Sequence, residues 1–104
     1  MDDNKKIDIC LGDLFSQSCP LQITDVLLNA FQKKGYEVLK NVPYSGAYTT
    51  FNYCQPRRKV YTLQLEVNRA LYANEQTLEK NQNFSKIQTD VCNAVFNFAK
   101  SLLA

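Results

Sequence analysis

The residues of this chain best suited to chemistry lie in one stretch, YTLQLEVNRALYANE, residues 61–75. Apolar and polar residues alternate along it until Glu66, where the alternation stops. A carboxylate at a strand end can act as a general base that takes a proton from an attacking water. The guanidinium of Arg69 can bind a substrate carboxylate through two hydrogen bonds. The same spacing also permits a structural ion pair between Glu66 and Arg69, so the pattern alone leaves both interpretations open.

The absence of histidine limits what these residues can do. Histidine is the usual general base at neutral pH and the commonest zinc ligand, and the chain has none. A Ser-His-Asp or Cys-His apparatus is therefore excluded, and a zinc site with two histidines and a carboxylate cannot be built from this chain alone. The cysteines form no C-x-x-C pair, which predicts free and mostly buried thiols at Cys10, Cys19, Cys54 and Cys92.

The bulk composition is that of one globular domain without a strongly charged partner. Of the 104 residues, 45% are hydrophobic and 21% charged, and the net charge is +2. The basic run 57–59 follows Pro56, which favours a solvated turn over a nucleic-acid patch. No apolar stretch approaches the roughly 18 residues of a membrane span, and the polar start MDDNKKID is not a secretory signal. We therefore expect a cytoplasmic protein that binds neither nucleic acid nor membranes.

The first 40 residues follow a strand, helix, strand pattern. The alternation in KIDICLGD predicts a strand that ends at Gly12. Pro20 suits the first turn of a helix that Ser18 could cap, and Gly35 fits the C-terminal end of that helix. YEVLK predicts a second short strand. This order favours an α/β layer.

The rest of the chain adds a loop, a strand and a long helix. The turn formers and aromatic residues of NVPYSGAYTTFNYCQP, residues 41–56, predict a loop whose rings either pack onto the fold or line a pocket. KVYTLQLEVN, residues 59–68, predicts a strand with Glu66 on its polar face. Apolar residues at spacings of three and four predict a closing helix over about residues 84–102, with a capping box from Ser85 to Gln88.

Three blocks, in this order, resemble a known family: DICLGD…SC, then NVPYSGAYTT, then LQLEVNRALYANE. They cover roughly residues 8–75 and resemble the C-terminal half of N-formylglutamate amidohydrolases. The resemblance implies an α/β fold with a partial mixed β-sheet flanked by helices, like the C-terminal half of a zinc-carboxypeptidase-like fold. Residues 1–104 would then form a single partial domain.

The resemblance also implies an activity and roles for individual residues. The family hydrolyses N-formyl-L-glutamate to formate and glutamate, a reaction of histidine degradation, with zinc held by histidines and a carboxylate. By motif position, Glu66 would be the general base. Arg69 would position or clamp the small acyl amino acid substrate, and Tyr44 would line the pocket.

The sequence departs from the family pattern in two respects. The family usually carries an Arg-His-Tyr-Gly-like run after the PY-G block, whereas this chain has Phe51, Asn52, Tyr53 and Cys54. The family's zinc ligands lie in an N-terminal half with no counterpart here, so zinc is implied for the complete domain and no metal ligand is expected in this chain.

We therefore expect the isolated chain to be inactive. Two alternatives remain: it is one chain of a split enzyme whose partner supplies the missing half, or it is a non-catalytic α/β interaction or assembly module. In each case half a domain predicts marginal stability or self-association.

Overall fold

A three-stranded mixed β-sheet forms the centre of the molecule, described here by a computed structural model that covers residues 7–103. The strands are β1 (Ile9–Gly12), β2 (Val38–Lys40) and β3 (Gln64–Val67), in the spatial order β2-β1-β3. Strand β1 pairs parallel with β2 and antiparallel with β3. Three helices accompany the sheet: α1 (Leu21–Lys33), α2 (Tyr48–Tyr53) and α3 (Phe84–Leu103). The expected α/β fold with a mixed sheet flanked by helices is confirmed.

Helix α1 connects the two parallel strands, as a parallel pair requires. It begins directly after Pro20, whose fixed φ suits a helix start, but no side chain caps it. Ser18 is buried and donates its hydroxyl to the carbonyl oxygen of Thr62 at 2.8 Å. The expected cap by Ser18 is therefore wrong, because this hydroxyl ties the loop after β1 to the segment before β3.

The hydrophobic core lies on one face of the sheet. Ile9, Leu11 and Val38 project from β1 and β2 into this core. Helix α1 contributes buried side chains, helix α3 adds one more, and Leu63, Leu65, Val91 and Phe98 extend the cluster at its rim. Helices α1 and α3 therefore cover the same face of the sheet.

Helix α3 confirms the closing helix predicted over about residues 84–102, but not its predicted capping. It begins at Phe84, and the N–H of Ile87 donates to the carbonyl oxygen of Asn83 at 3.0 Å. Ser85 is thus the second residue of the helix and cannot be its N-cap. The predicted capping box from Ser85 to Gln88 is wrong.

Two further segments differ from the sequence expectation. Residues 48–53, predicted as part of a loop, form the short helix α2. Strand β3 has four residues instead of the ten predicted over 59–68, because its partner β1 is itself only four residues long. Val60 pairs with Gln55 across a turn through backbone bonds of 2.7 and 3.0 Å, and Arg57 and Arg58 lie exposed in that turn, as expected after Pro56.

The four cysteines are free, but only Cys10 and Cys19 are buried; Cys54 is half-buried and Cys92 exposed. The expectation of mostly buried thiols holds for the first two alone. Over residues 7–103, no helix combines the length and apolar character needed to cross a membrane.

Candidate functional site

Glu66 projects from the sheet face opposite the core. In the antiparallel register, Cys10 lies across from Glu66 and Gly12 lies across from Gln64. Directly opposed residues share a face of the sheet, and so does Leu39, the partner of Cys10 in β2. We call this side, defined by Cys10, Gly12, Leu39, Gln64 and Glu66, the open face, since α1 and α3 pack on the other side. Glu66 is solvent-exposed there.

The loop of residues 41–47 lies over part of the open face. The Cys10 Sγ is 3.4 Å from the carbonyl oxygen of Val42 and 3.2 Å from that of Tyr44, so its proton can be donated to either. At Gly12, a Cβ atom would come within 2.7 Å of the backbone C and O atoms of Ser45. The fold therefore places the backbone of Tyr44 beside the strand position that pairs with Glu66, with the Tyr44 ring exposed to solvent.

A buried carboxylate fixes the start of this loop. Asp13 is fully buried, and its Oδ1 accepts hydrogen bonds from the Ser16 N–H at 2.8 Å and from the Asn41 Nδ2 at 2.9 Å. Its Oδ2 accepts the Thr24 hydroxyl of α1 at 2.8 Å. The Asn41 Oδ1 in turn accepts the N–H of Asp13 at 3.0 Å. The network connects the end of β1, helix α1 and the first residue of the 41–47 loop.

These contacts keep Asp13 ionised. Burial raises the pKa of its carboxyl group, but the hydrogen bonds from Ser16, Asn41 and Thr24 and the nearby Lys40 charge outweigh burial and hold the pKa below its usual value. At Cys19, burial instead raises the pKa of the thiol. The thiolate is the nucleophilic form of cysteine, and burial disfavours it at Cys19.

A cleft lies beside α2, and Gln64, the neighbour of Glu66 on the open face, lines it. It has a volume of about 530 Å³ and lies between α2 and the start of β3, lined by Thr49, Thr50, Tyr53, Thr62, Leu63 and Gln64. Gln64 connects the cleft to the carboxylate, because its Nε2 donates a hydrogen bond to the Glu66 Oε1 at 3.3 Å. On its other side, the Gln64 Oε1 accepts the Thr50 hydroxyl at 3.3 Å.

Arg69 lies beyond the end of β3 and begins the turn 69–71. Asn68 organises this turn: its Oδ1 accepts the Ala70 N–H at 3.0 Å and its Nδ2 donates to the carbonyl oxygen of Ile7 at 3.1 Å. Arg69 is exposed, and within residues 7–103 no ion pair joins it to Glu66. The ion pair that the sequence left open is therefore not formed.

The structure thus brings the Tyr44 backbone close to Cys10, the strand partner of Glu66, and places Arg69 in the turn that follows the same end of β3 as Glu66. Sequence reasoning missed Gln64, Thr50 and Asp13. Gln64 precedes Glu66 by two residues in an alternating strand, which was sufficient to place both on one face. Thr50 and Asp13 carry no comparable signal, because their partners are distant in the sequence.

The residues of this chain do not fit the zinc centre that the resemblance implies. The sequence contains no histidine. Over the described part of the chain, no three side chains among the cysteines, aspartates and glutamates lie close enough together to hold a metal ion.

Comparison with known proteins agrees with the fold and with the sequence blocks. A model of the N-formylglutamate amidohydrolase family matches residues 1–73, the greater part of the chain. The structure is similar to that of the N-formylglutamate amidohydrolase from Ralstonia eutropha JMP134, with 29% sequence identity and a TM-score of 0.89. The match covers 97% of this chain and 36% of that protein, so the chain spans little more than a third of the length of this relative. No curated protein matches the chain.

Proposed function

Since the chain belongs to the N-formylglutamate amidohydrolase family, we propose that it contributes the general base to a site that hydrolyses N-formyl-L-glutamate to formate and glutamate. The observation that carries the proposal is the position of Glu66. It lies on the open face, inside the family match and exposed to solvent, with the 41–47 loop beside its strand partner Cys10. A cytoplasmic location is part of the same proposal.

In this proposal the Glu66 carboxylate accepts a proton from the water that attacks the formyl carbonyl, and later delivers it to the leaving amine. General acid–base catalysis of this kind accelerates a reaction by about 10²–10⁴-fold. The exposure of Glu66 supports the role, because the carboxylate is accessible to water. The only side-chain hydrogen bond it accepts within residues 7–103 comes from the neutral amide of Gln64.

Arg69 and Tyr44 are proposed to contact the substrate. The Arg69 guanidinium, exposed and without an ion-pair partner in the described residues, would bind a carboxylate of glutamate through two parallel hydrogen bonds. The Tyr44 ring, exposed on the loop over the open face, would cover the substrate from one side. Both roles require the substrate to lie along the open face between the 41–47 loop and the end of β3.

We further propose that residues outside these 104 hold the zinc ion that the family resemblance implies. The lack of histidine and of any metal-binding cluster in residues 7–103 supports this division. A zinc ion supplies Lewis-acid activation of a carbonyl when it is bound. The chain by itself is therefore proposed to be inactive.

The proposed inactivity can be tested directly. The purified chain is incubated with N-formyl-L-glutamate and added Zn²⁺, and formate release is measured. We expect no release above the protein-free control. If the chain hydrolyses the substrate and Glu66→Gln abolishes this activity, Glu66 is supported as the base. The proposal that the zinc ligands lie outside these 104 residues would then be refuted.

The role of Glu66 needs a complete site. A chimera in which this chain replaces the corresponding segment of the Ralstonia eutropha protein would provide one, because the two structures agree over 97% of the chain. We expect Glu66→Gln to lower kcat of the chimera by about 10²–10⁴-fold. Glu75→Gln, the same change at an exposed residue of the turn after β3, is the matched control. Equal activity of both variants would refute the proposed base.

A second candidate function is supported by the exposed rings of α2. Tyr48 is 75% exposed, Phe51 69% and Tyr53 62%. Exposed apolar groups of this kind are typical of interaction surfaces. The chain would then be one half of a split enzyme or a non-catalytic assembly module. The two are distinguished by co-purifying the chain with a partner that carries histidines and assaying the complex: hydrolysis favours the split enzyme, and a stable but inactive complex favours the module.

A further inference from the structure

The candidate base has a hydrogen-bonded neighbour on its own strand, and we propose that Gln64, held by Thr50, is a positioning residue for the Glu66 carboxylate. This inference deepens the proposed function and rests on it for the catalytic meaning of the contact. The contact itself can be tested without any activity.

The strand geometry places the two side chains together. Gln64 and Glu66 are two residues apart in β3 and therefore project from the same face of the sheet. The Gln64 Nε2 lies 3.3 Å from the Glu66 Oε1. The strand partners of these residues are Gly12, which has no side chain, and Cys10, whose thiol is directed to the carbonyl oxygens of the 41–47 loop. Neither partner competes for the carboxylate.

The hydrogen bonds around Thr50 determine which end of the Gln64 amide faces Glu66. The N–H of Ala47 can only donate, so the Thr50 Oγ1, 3.2 Å away, is its acceptor. The single proton of the Thr50 hydroxyl is then free to be donated to the Gln64 Oε1 at 3.3 Å. With its oxygen bound to Thr50, the amide presents its NH₂ group to the carboxylate. A flipped amide would place its oxygen against a carboxylate oxygen with no proton between them.

Thr50 is itself fixed to the body of the fold. Its side chain is buried, and its carbonyl oxygen accepts the hydroxyl of Thr62. The Thr62 N–H donates to the carbonyl oxygen of Ser18 at 2.9 Å, and the Ser18 hydroxyl returns to the carbonyl oxygen of Thr62 at 2.8 Å. The chain of contacts from Ser18 to Glu66 thus begins at a fully buried residue and ends at an exposed one. A flexible carboxylate at the surface gains a defined orientation from it.

A neutral amide suits this task better than a cation would. An opposite charge within about 4–6 Å of a carboxylate favours its ionised form and weakens it as a base. Within residues 7–103, no lysine or arginine nitrogen forms an ion pair with Glu66. Gln64 can therefore restrict the rotation of the carboxylate while contributing no net charge.

The test uses NMR of the ¹⁵N-labelled, 104-residue chain. The side-chain NH₂ signals of Gln64, assigned by their loss in Gln64→Leu, are followed during acid titration. We expect a shift that follows protonation of Glu66 and that is abolished in Glu66→Gln, an exposed substitution that leaves the core intact. The exposed side-chain amides of Gln82 and Gln88 are internal references and should not respond to Glu66→Gln.

Two variants of Thr50 test the anchoring step. Thr50→Val removes the hydroxyl at nearly constant volume and should abolish most of the titration shift of Gln64, because its Oε1 loses its partner. Thr50→Ser retains the hydroxyl and should preserve the shift, whereas a merely structural role for Thr50 predicts no such difference. If Thr50→Val fails to fold, Thr50→Ala, which also lacks the hydroxyl, takes its place in the comparison with Thr50→Ser. If the titration shift of the Gln64 NH₂ signals is unchanged in Glu66→Gln, the proposal is refuted.

The outcomes of the two proposals are separable. If the Gln64 signals respond to Glu66 in the NMR titration but the Glu66→Gln chimera is active, the contact is supported and its role in catalysis is refuted. If the Gln64 signals do not respond to Glu66 but the Glu66→Gln chimera is inactive, Glu66 is supported as the general base and the positioning role of Gln64 is refuted.

Discussion

At the scale of single residues, Asp13 is the buried charge on which the site's geometry depends. Its carboxylate accepts hydrogen bonds from Ser16, Asn41 and Thr24, which belong to three separate segments of the chain. A buried charge persists only when it is paired and hydrogen-bonded in this way. Removing the charge would therefore release the start of the 41–47 loop as well as cost stability.

Asp13 should make stability dependent on pH in the acid range. Its pKa is lower in the folded chain than in an unfolded one, where it is about 3.9. The stabilisation that ionised Asp13 gives the folded chain is therefore fully present above the unfolded pKa and is lost as the pH falls through the folded pKa. We expect Asp13→Asn to lower the free energy of unfolding by about 1–3 kcal/mol at neutral pH, because the neutral amide has one acceptor oxygen in place of the two charged ones that Ser16, Asn41 and Thr24 use. Urea unfolding should show this deficit shrinking below about pH 4.

The control for Asp13→Asn is Asp25→Asn. Asp25 pairs with Lys40 at 2.8 Å, and both side chains are partly exposed to solvent. Such pairs contribute about 0–1 kcal/mol. Equal losses for the two variants at neutral pH would contradict the role given to Asp13.

Gly12 should tolerate no side chain because of the loop above it. A Cβ there would lie 2.7 Å from two backbone atoms of Ser45, which must move to make room. We expect Gly12→Ala to cost about 1–3 kcal/mol and to shift the backbone amide NMR signals of residues 41–47. Gly35→Ala is the informative comparison: φ there is +96° and no atom lies near, so it should destabilise without moving the loop. Unchanged loop signals in Gly12→Ala would count against the contact.

At the scale of elements, the sequence predicted the helices and strands whose hydrophobic pattern extends over many residues or whose ends are marked by proline or glycine. Helix α3 was placed to within one residue from the helical spacing of Ile87, Val91, Val95, Phe98 and Leu102. Of these, Val95 and Leu102 are exposed, and Ala94 is the α3 residue buried in the core cluster. Strand β3 was predicted too long, because alternation continues outwards to Tyr61 although β1 offers only four residues to pair with. Helix α2 was missed, because its exposed rings give no apolar stripe and only Thr50 is buried.

For the candidate site, the sequence predicted Glu66 as the general base from its place in a motif and at the end of an alternating run, and that role stays a prediction. It did not identify Thr50, whose link to Gln64 spans 14 residues, or the Asn41 contact to Asp13, which spans 28. Contacts between distant segments depend on the register of β1 with its two neighbours. A single sequence contains no local signal for that register.

Two phenylalanines on different helices test how the elements are held together. Phe31 of α1 is fully buried in the core cluster, whereas Phe96 of α3 is 64% exposed. We expect Phe31→Ala to lower the free energy of unfolding by about 3–5 kcal/mol, and Phe96→Ala by less than about 0.5 kcal/mol. Thermal and urea unfolding followed by circular dichroism measure both. A similar loss in the two variants would show that α3 packs on the sheet through a different face.

At the scale of the whole molecule, the core occupies one side of the sheet and the candidate site the other. Helices α1 and α3 bury the core face, while the open face is covered only in part by the 41–47 loop. The related amidohydrolase is almost three times as long as the matched segment, since the match covers 36% of it. The exposed rings of α2 and the exposed Leu39 of the open face lie on surfaces that further polypeptide could cover.

These surfaces should drive self-association of the isolated chain. A net charge of +2 opposes association only weakly, and Tyr48 and Phe51, three residues apart, present two exposed rings on one side of α2. We expect sedimentation velocity to show a concentration-dependent shift from monomer to dimer, and we expect Tyr48→Ser with Phe51→Ser to weaken it at least tenfold with little change in the melting temperature. Phe96→Ser, an equally exposed ring on α3, should leave association unchanged. A wild-type chain that stays monomeric at every concentration would contradict this prediction and show that neither α2 nor the open face is sufficient for self-association.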